Sequence, residues 1–585
     1  MMYNPTTKIW GGVALAIITA APFLLGNPFF TDIVITIFYY GALSLAWNLV
    51  GGYAGQFSLG HTSFFGVGAY TSTLLFLNFG VSPWLGMIAG GLLAALLALL
   101  IFTPCFRLKG FYFCLASIAL AEVLRILAVY WRGLTKGGVG LLLPVKPAWQ
   151  NFLFESKYPY LLFALLLLLA LIAFTMWLSR SRLGYYLQAI GEDEAAAKAV
   201  GVNVVRCKAV IMMISAFFTA VGGTFYAQYM MFIDPEIVFS MHLSIQVALF
   251  AIIGGVGTLA GPLLGTFLLV PLDAVMKGWL GTMYAGLGFV VYGGILIAVV
   301  MLMPNGIVKA LEGWAAKRKP SGQEQEATGP ESSIPPPAME PKQAEILRVQ
   351  GLSKSFGGLK AIDDFDLTVS KGEIVGVIGP NGAGKTTLFS LISTFIKPDQ
   401  GTVTFCGRQT GHMVSPHRMC IMGLSRTFQV VRPFMHLSVL DNVTTACLLR
   451  SPKAHQAREN ALQVLRFVGL GNQMHKPASS LTLANRKRVE LARALATRPS
   501  LILLDEVMAG LNPSEINQII ALLRRVSQTG VTLVLIEHVM RAVMSLSDRI
   551  VVINYGRKIA EGTPKQIVAD PLVIEAYLGK EAVHA

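Results

Sequence analysis

The sequence predicts an α-helical polytopic membrane domain of about ten spans, followed by a soluble α/β P-loop domain. The first observation is length, because 585 residues exceed a single compact core. The second is composition: 54% of residues are hydrophobic, 14% are charged, and the mean hydropathy is +0.60. Such values over so long a chain are typical of integral membrane proteins. The third is a glycine-rich phosphate-binding motif at residues 379–386.

The first three hundred residues contain apolar runs long enough to cross a bilayer core of about 30 Å. These lie at roughly 9–26, 31–50, 58–79, 83–104, 111–131, 160–178, 209–230, 242–272 and 283–303. The run 242–272 contains Gly254, Gly255, Gly257 and Gly261–Pro262, which disfavour one uninterrupted helix. We therefore expect two short helices there, which gives about ten spans with both ends cytoplasmic. One observation disagrees with this topology, because it places four basic residues in an external loop: Arg132, Lys136, Lys146 and Lys157.

The formal net charge of +15 could indicate a nucleic-acid partner. Much of the excess instead flanks apolar segments, as basic residues do on the cytoplasmic side of a membrane. Examples are Arg180, Arg182, Arg206, Lys208 and the run 317–319. We therefore expect contact with membrane lipid and no nucleic acid. The six cysteines show no paired spacing, so neither a metal site nor a disulfide framework is predicted.

A change in composition divides the chain into three predicted parts. Residues 310–344 are polar and proline-rich, which predicts a flexible linker between a membrane domain at 1–309 and a soluble domain at 345–585. In the soluble part, Glu373–Val377, Leu501–Leu504 and Thr532–Ile536 have the pattern of buried parallel strands.

The first of these strands leads directly into the P-loop. The proposed nucleotide-binding residues are Gly379, Pro380, Asn381, Gly382, Ala383, Gly384, Lys385, Thr386 and Thr387. Glycines let backbone N–H groups approach the phosphates, Lys385 is expected to neutralise the β and γ oxygens, and Thr386 to bind Mg²⁺.

Two acidic residues follow the strand Leu501–Leu504. Asp505 can hold the Mg²⁺ shell, and Glu506 is placed to polarise the attacking water as general base. Solvated acids after a strand are the alternative, and the separation of about 120 residues from the P-loop weighs against it.

In this combination, residues 346–585 resemble an ABC transporter ATPase. The resemblance implies that Phe356 stacks on adenine, that Gln429 senses Mg²⁺ and contacts the membrane part, and that His538 contacts the γ-phosphate. Separately, each could be a core Phe, a surface Gln or a strand-end His.

One element departs from that family. The signature is Leu481, Thr482, Leu483, Ala484 and Asn485, where the family usually has LSGGQ. Thr482 keeps a hydroxyl at a helix N-terminus, whereas Ala484 replaces a glycine. In the family the signature serves ATP held by the opposite subunit, so the resemblance implies a dimer of nucleotide domains.

Residues 9–308 resemble the permease subunit of branched-chain amino acid ABC importers. The motifs that carry this lie at 51–61, 66–70, 180–184, 192–201 and 254–258. Residues 192–201, with Glu194, Ala195, Ala196 and Gly201, approximate the cytoplasmic coupling helix that docks into the ATPase. A solvated loop helix is the alternative.

Several residues inside the apolar runs allow a structural and a functional interpretation. Glycines 51–60 are expected to break a helix and expose backbone to a pathway, while Gly66 and Gly68 are expected to permit tight packing. Glu122 and Arg125 can pair on one helix face, either structurally or as a gate. His61 is expected to be a packing or hydrogen-bonding residue.

The combined prediction is a fused permease–ATPase of an ABC importer in the bacterial inner membrane, with a cytoplasmic ATPase domain that uses ATP and Mg²⁺. Its expected partners are a second permease, a second ATPase and a periplasmic solute-binding protein. The solute is a branched-chain amino acid or a related small molecule. The alternatives are an ABC exporter half-transporter and a membrane-tethered regulatory ATPase.

Overall fold

The computed structural model describes two compact units. One comprises residues 1–191 and 205–323, and the other residues 192–204 and 324–585. The described residues are 22, 27–108, 110–280, 293–294, 297–298, 301–303, 306–317, 344–410 and 414–578.

The first unit is helical, and its helices follow the apolar runs. In chain order the helices are α1 (Pro28–Asn48), α2 (His61–Phe79), α3 (Pro83–Leu97), α4 (Phe111–Tyr130), α5 (Tyr158–Arg180), α6 (Arg182–Glu192), α7 (Glu194–Ala199, which lies in the second unit), α8 (Val204–Met230), α9 (Met241–Gly254), α10 (Ala260–Leu280) and α11 (Gly306–Lys317). A two-stranded antiparallel sheet joins β1 (Leu141–Leu142) to β2 (Phe232–Ile233).

Among the described residues, six helical stretches are long and apolar enough to cross a membrane. The predicted run at 242–272 is divided into α9 and α10, which confirms the expected split. The predicted spans at 9–26 and 283–303 lie almost wholly outside the described residues. The count of about ten spans therefore stays a prediction.

The expected helix break in the glycine-rich segment is confirmed. Helix α1 ends in a π-helical turn, Leu49–Tyr53, and regular structure resumes only at His61. The buried Asn48 joins this break to the one between α9 and α10. Its Nδ2 donates to the Thr258 carbonyl oxygen at 2.9 Å, and its Oδ1 accepts from the Gly257 N–H at 2.9 Å. One amide thus satisfies backbone groups that an interrupted helix leaves unpaired.

Close packing explains two further glycines, as expected. A Cβ on Gly66 would lie 2.3 Å from the Phe239 ring, and one on Gly68 would lie 2.2 Å from the Ala220 carbonyl oxygen. The buried His61 ring shares a hydrogen bond of 3.0 Å with the Ser215 hydroxyl, which confirms it as a hydrogen-bonding residue.

Glu122 and Arg125 pair on α4, with 2.5 Å between Oε1 and Nη2. Arg125 also pairs with Glu236, so three charged side chains form one cluster. In the predicted external loop, Lys157 pairs with Asp32. These contacts fit both a structural and a gating role for the α4 pair.

The second unit contains two sheets and their helices. Its strands are β3 (Glu345–Phe356), β4 (Leu359–Ser370), β5 (Ile374–Ile378), β6 (Gln400–Phe405), β7 (Arg408–Gln409), β8 (Leu424–Arg426), β9 (Leu501–Asp505), β10 (Thr532–Ile536), β11 (Arg549–Asn554) and β12 (Arg557–Gly562). Its helices after α7 are α12 (Lys385–Ile392), α13 (Pro416–Met422), α14 (Val439–Cys447), α15 (Ala454–Phe467), α16 (Leu483–Ala496), α17 (Pro513–Gln528), α18 (Met540–Leu546), α19 (Pro564–Val568) and α20 (Pro571–Leu578).

The larger sheet has the strand order β12-β11-β5-β10-β9-β8, with parallel pairing from β11 to β8. The smaller sheet, β4-β3-β6-β7, is antiparallel. Strands β5, β9 and β10 are buried at every position, which is why they read as continuous apolar runs. Side chains of both sheets and of α12 form the core.

Helix α11 extends to Lys317, so the first residues of the predicted linker at 310–344 are helical rather than coiled. Nearly all the rest of that segment lies outside the described residues. The predicted domain boundaries stay predictions.

Replacing Asn48 by Ala tests how the two helix breaks are held. The change leaves the Gly257 N–H and the Thr258 carbonyl without their partner, which costs about 1–3 kcal/mol. We expect a lower apparent melting temperature for the detergent-solubilised full chain, measured by size-exclusion chromatography after heating. The control is Asn151→Ala, which removes an exposed amide bonded to a single carbonyl, that of Lys146. Equal melting of both variants would contradict this role for Asn48.

Candidate functional site

Four neighbouring parallel strands end at one edge of the larger sheet. Strand β5 leads into the P-loop, β10 into Glu537 and His538, β9 ends at Asp505 and is followed by Glu506, and β8 leads to Gln429. Because parallel strands point the same way, their carboxyl ends bring these chemically different residues together.

The backbone of the P-loop requires glycine at position 384, because a side chain there would not fit. Gly384 has φ +102°, and a Cβ there would lie 2.3 Å from the Ala361 carbonyl oxygen. The Lys385 ammonium is buried and donates to the carbonyl oxygens of Gly379 at 2.6 Å and Pro380 at 2.8 Å. Burial lowers the pKa of Lys385, and the nearby acidic side chains partly oppose this. The ammonium is therefore held inside the loop by weak neutral acceptors, which phosphate oxygens can replace.

Both carboxylate oxygens of Glu506 are hydrogen-bonded. Oε1 lies 2.8 Å from the His538 Nε2, and Oε2 accepts from the Gln429 Nε2 at 3.0 Å. The backbone of Glu506 is left-handed, with φ +48°, which is strained for a residue with a side chain. The structure thus brings together the three residues that the sequence suggested for catalysis.

Asp505 lies beside a buried arginine that the sequence analysis had given no role. Its Oδ2 is 3.5 Å from the Arg426 Nη2, whereas its Oδ1 has no hydrogen-bond partner among the described residues. Burial raises the pKa of Asp505 to about 6, and the Arg426 guanidinium acts in the opposite direction. Arg426 itself donates to the hydroxyls of Ser390 and Ser393 at 3.1 Å each.

Of the remaining nucleotide candidates, Ala383 is buried, whereas Asn381 and Gly382 are exposed. The Phe356 side chain is 48% exposed at the end of β3, where a planar base can stack on it. Thr386 is exposed in the first turn of α12, and Thr387 is half-buried.

The signature forms the start of α16. Thr482 is the N-cap residue, and its hydroxyl accepts from the Asn485 N–H at 3.4 Å. Leu481 and Ala484 are buried, whereas Leu483 is exposed. This arrangement presents a hydroxyl and free backbone N–H groups at a helix N-terminus, a geometry that suits an anion.

The predicted coupling helix corresponds to α7. Residues 192–204 are here called the docking segment. They belong to the same compact unit as the larger sheet. Glu192 Oε1 lies 2.8 Å from the His436 Nδ1, and Asp193 Oδ2 lies 3.2 Å from the Arg432 Nη1. Ala196 is fully buried. A Cβ on Gly201 would lie 2.7 Å from Leu449, so this turn also fits closely.

Sequence reasoning assigned no role to five buried charged residues in the described part of this unit: Arg426, Lys487, Glu490, Arg493 and Glu537. Sequence context did not set them apart, because α16 alone carries five charged residues and β8 is only three residues long. Such residues are seldom fully buried unless paired, so each one is evidence of a specific partner.

Three family profiles match the chain. Residues 29–303 match the permease component of the branched-chain amino acid transport system, residues 362–509 match the ABC transporter family, and residues 557–583 match the branched-chain amino acid ATP-binding cassette transporter family.

The curated relatives match the ATP-binding part of the chain. The high-affinity branched-chain amino acid transport ATP-binding protein LivG of Salmonella typhimurium is 40% identical over 253 residues, which are 40% of this chain and 98% of LivG. The corresponding protein BraF of Pseudomonas aeruginosa is 39% identical over 251 residues, with the same coverage. A crystal structure of a nucleotide-free ATP-binding cassette from an ABC transporter is 32% identical, with a TM-score of 0.38; the match covers 40% of this chain and all of that one.

The permease match and the cassette matches lie in separate parts of the sequence. Both name the same transport system. The chain therefore belongs to the branched-chain amino acid family of ABC transporters, with a permease component and an ATP-binding component on one polypeptide.

Proposed function

We propose that this chain supplies one permease and one ATPase of an importer that moves branched-chain amino acids or related small solutes into the bacterial cytoplasm. The observation that carries this proposal is the pairing of a permease match at 29–303 with a cassette 40% identical to LivG. The permease match also argues against an exporter half-transporter, which shares the order of domains but belongs to a different membrane family.

ATP binding in this proposal begins at the P-loop. The γ- and β-phosphate oxygens displace the carbonyls of Gly379 and Pro380 from the Lys385 ammonium, because charged acceptors bind an ammonium more strongly than neutral ones. The exposed Phe356 ring supports the adenine from one face.

The residues around Asp505 fit a hydrated Mg²⁺ ion. A buried carboxylate oxygen without a partner, the Asp505 Oδ1, is an acceptor suited to a hard cation, and the Thr386 hydroxyl and the Gln429 amide oxygen supply further oxygen donors. Mg²⁺ held by these residues would offset the negative charge of the phosphate oxygens. Arg426 holds the second oxygen of Asp505, which keeps Oδ1 turned away from the guanidinium.

Hydrolysis is assigned to Glu506. Its carboxylate accepts a proton from the attacking water, and the bonds from Gln429 and His538 fix its orientation. His538 can also turn to the γ-phosphate once nucleotide is present, since its side chain is 43% exposed. The left-handed backbone of Glu506 is consistent with a functional constraint.

The signature of one cassette is proposed to complete the ATP site of another. Thr482 and the first N–H groups of α16 supply donors for a γ-phosphate, and in this family two cassettes face each other. We therefore infer a second ATPase and a second permease as partners. A periplasmic solute-binding protein would deliver the solute to an inner-membrane complex.

Replacing Glu506 by Gln tests the proposed import. The amide cannot accept the proton from water, so hydrolysis at this site falls by about 10²–10⁴-fold. Uptake of radiolabelled leucine should fall at least about tenfold, since transport depends on this step. The measurement uses proteoliposomes of the purified complex, with ATP inside and the solute-binding protein outside.

The matched control is Glu459→Gln, which changes an exposed glutamate that pairs with His455. Uptake that survives Glu506→Gln would favour a regulatory ATPase. Outward leucine transport without a binding protein would favour an exporter.

Replacing Arg426 by Met tests its effect on Asp505. The guanidinium lowers the pKa of this carboxyl, so its removal raises that pKa further above its ordinary value. Asp505 must be ionised to hold Mg²⁺. The fall in hydrolysis rate on the acid side of the pH profile should therefore occur at a pH higher by roughly one unit. The rate is measured from pH 5.5 to 8 with excess Mg²⁺, and the acid limb is compared with that of the unchanged complex. The control is Arg458→Met, which removes a more exposed arginine that pairs with Asp441. Equal pH profiles of the Arg426→Met and Arg458→Met variants would contradict the assignment.

A further inference from the structure

Arg493 lies on α16, the helix that begins at the signature, and it is almost completely buried. Its Nη1 donates to the Arg432 carbonyl oxygen at 2.6 Å, and its Nη2 donates to the Ala196 carbonyl oxygen at 3.3 Å. The guanidinium carbon also lies 4.0 Å from the centre of the Phe434 ring. One side chain therefore joins the docking segment to the loop that follows Gln429.

Glu490 lies one helical turn before Arg493 on α16 and is also buried. Its Oε1 accepts from the backbone N–H of Phe428 at 3.0 Å. Burial raises the pKa of Glu490 to about 7, and the nearby Arg493 opposes this. Each of the two side chains thus favours the charged form of the other, and removal of one makes burial of the other more costly.

The contacts of this pair lead to the catalytic carboxylate. Phe428 is the residue before Gln429, and the Gln429 amide donates to Glu506. A displacement of Ala196 that pulls on Arg493 therefore reaches the backbone at Phe428 through Glu490, and then the orientation of Glu506 through Gln429. Glu490 and Arg493 lie on the same helix, α16, so a movement of this helix displaces both residues together.

We propose that Arg493 and Glu490 are a positioning pair that makes the geometry of Gln429 and Glu506 depend on the position of the docking segment. This rests on the proposed function, in which the docking segment reports the state of the permease. Neither residue touches nucleotide in this role. The same helix carries Thr482, so a shift of the docking segment would move the signature as well.

A purely structural role would predict that Arg493 stabilises the unit without making hydrolysis depend on docking. A double-mutant cycle separates the two roles. Glu192→Ala perturbs the docking segment at a contact with His436 and leaves the Arg493 contacts in place. It is combined with Arg493→Met, and ATP hydrolysis by the purified complex in lipid nanodiscs is measured for each variant.

Glu192→Ala is expected to lower the hydrolysis rate by about threefold in the unchanged chain, and by less than about 1.5-fold when Arg493→Met is present. Arg493→Lys guards against misfolding, because it keeps the buried positive charge beside Glu490 and loses the bridge between two carbonyls. Arg493→Lys should abolish the effect of Glu192→Ala on the hydrolysis rate, as Arg493→Met does. The control is Arg450→Met, an arginine that also bonds two carbonyls, those of Thr497 and Ile421. With Arg450→Met the threefold effect should persist.

An effect of Glu192→Ala that is equal with and without the Arg493 variants would overturn the proposal. So would the absence of any effect in the unchanged chain. This measurement requires no knowledge of the solute. If the unchanged complex fails to import leucine, the proposed function fails, while the cycle still decides the role of the pair.

Discussion

The orientation of one carboxylate, that of Glu506, depends on two side chains that different strands deliver. Gln429 follows β8 and His538 follows β10, and each binds a different oxygen of Glu506. This requires β8, β9 and β10 to be neighbours in register, which the parallel pairing provides. A shift of any of these strands would separate the general base from its partners. The packed sheet core is therefore a condition for catalysis as well as for stability.

The same constraint explains why buried charges accumulate around Gln429. The loop after β8 has little regular structure of its own, so side chains from other elements must hold it. Glu490 binds the N–H of Phe428, and Arg493 binds the carbonyl of Arg432. Both belong to α16, which ties the loop to the signature helix, while Thr427 at the start of the loop bonds β9. A loop held in this way can respond to a helix movement while the strands stay fixed, and that is a requirement for regulated hydrolysis.

Much of the site could be predicted because its chemistry is local in sequence. The P-loop, the acids after β9 and His538 each follow an apolar strand, and such patterns fix which edge of the sheet they occupy. Arg493 could not be placed, because its partner Ala196 is 297 residues away in sequence and is a backbone carbonyl with no sequence signature. Asn48 and Gly257 are 209 residues apart for the same reason. The helix breaks were predictable from glycines, whereas the amide that joins them was not. The helical start of the expected linker was also missed, because the linker was predicted from the polar and proline-rich composition of residues 310–344 as a whole, whereas α11 extends to Lys317.

These unpredicted contacts share one physical cause. A polar side chain is costly to bury, so it persists in the interior only where a specific partner satisfies it. Asn48 satisfies a broken helix backbone. Arg426 satisfies a buried carboxylate, and Arg493 satisfies two carbonyls. None of them belongs to a nucleotide-binding motif, yet each lies where irregular backbone or buried charge would otherwise be unstable. Buried polar residues outside the motifs therefore mark the points on which motif geometry depends, and they complement the motifs as guides to function.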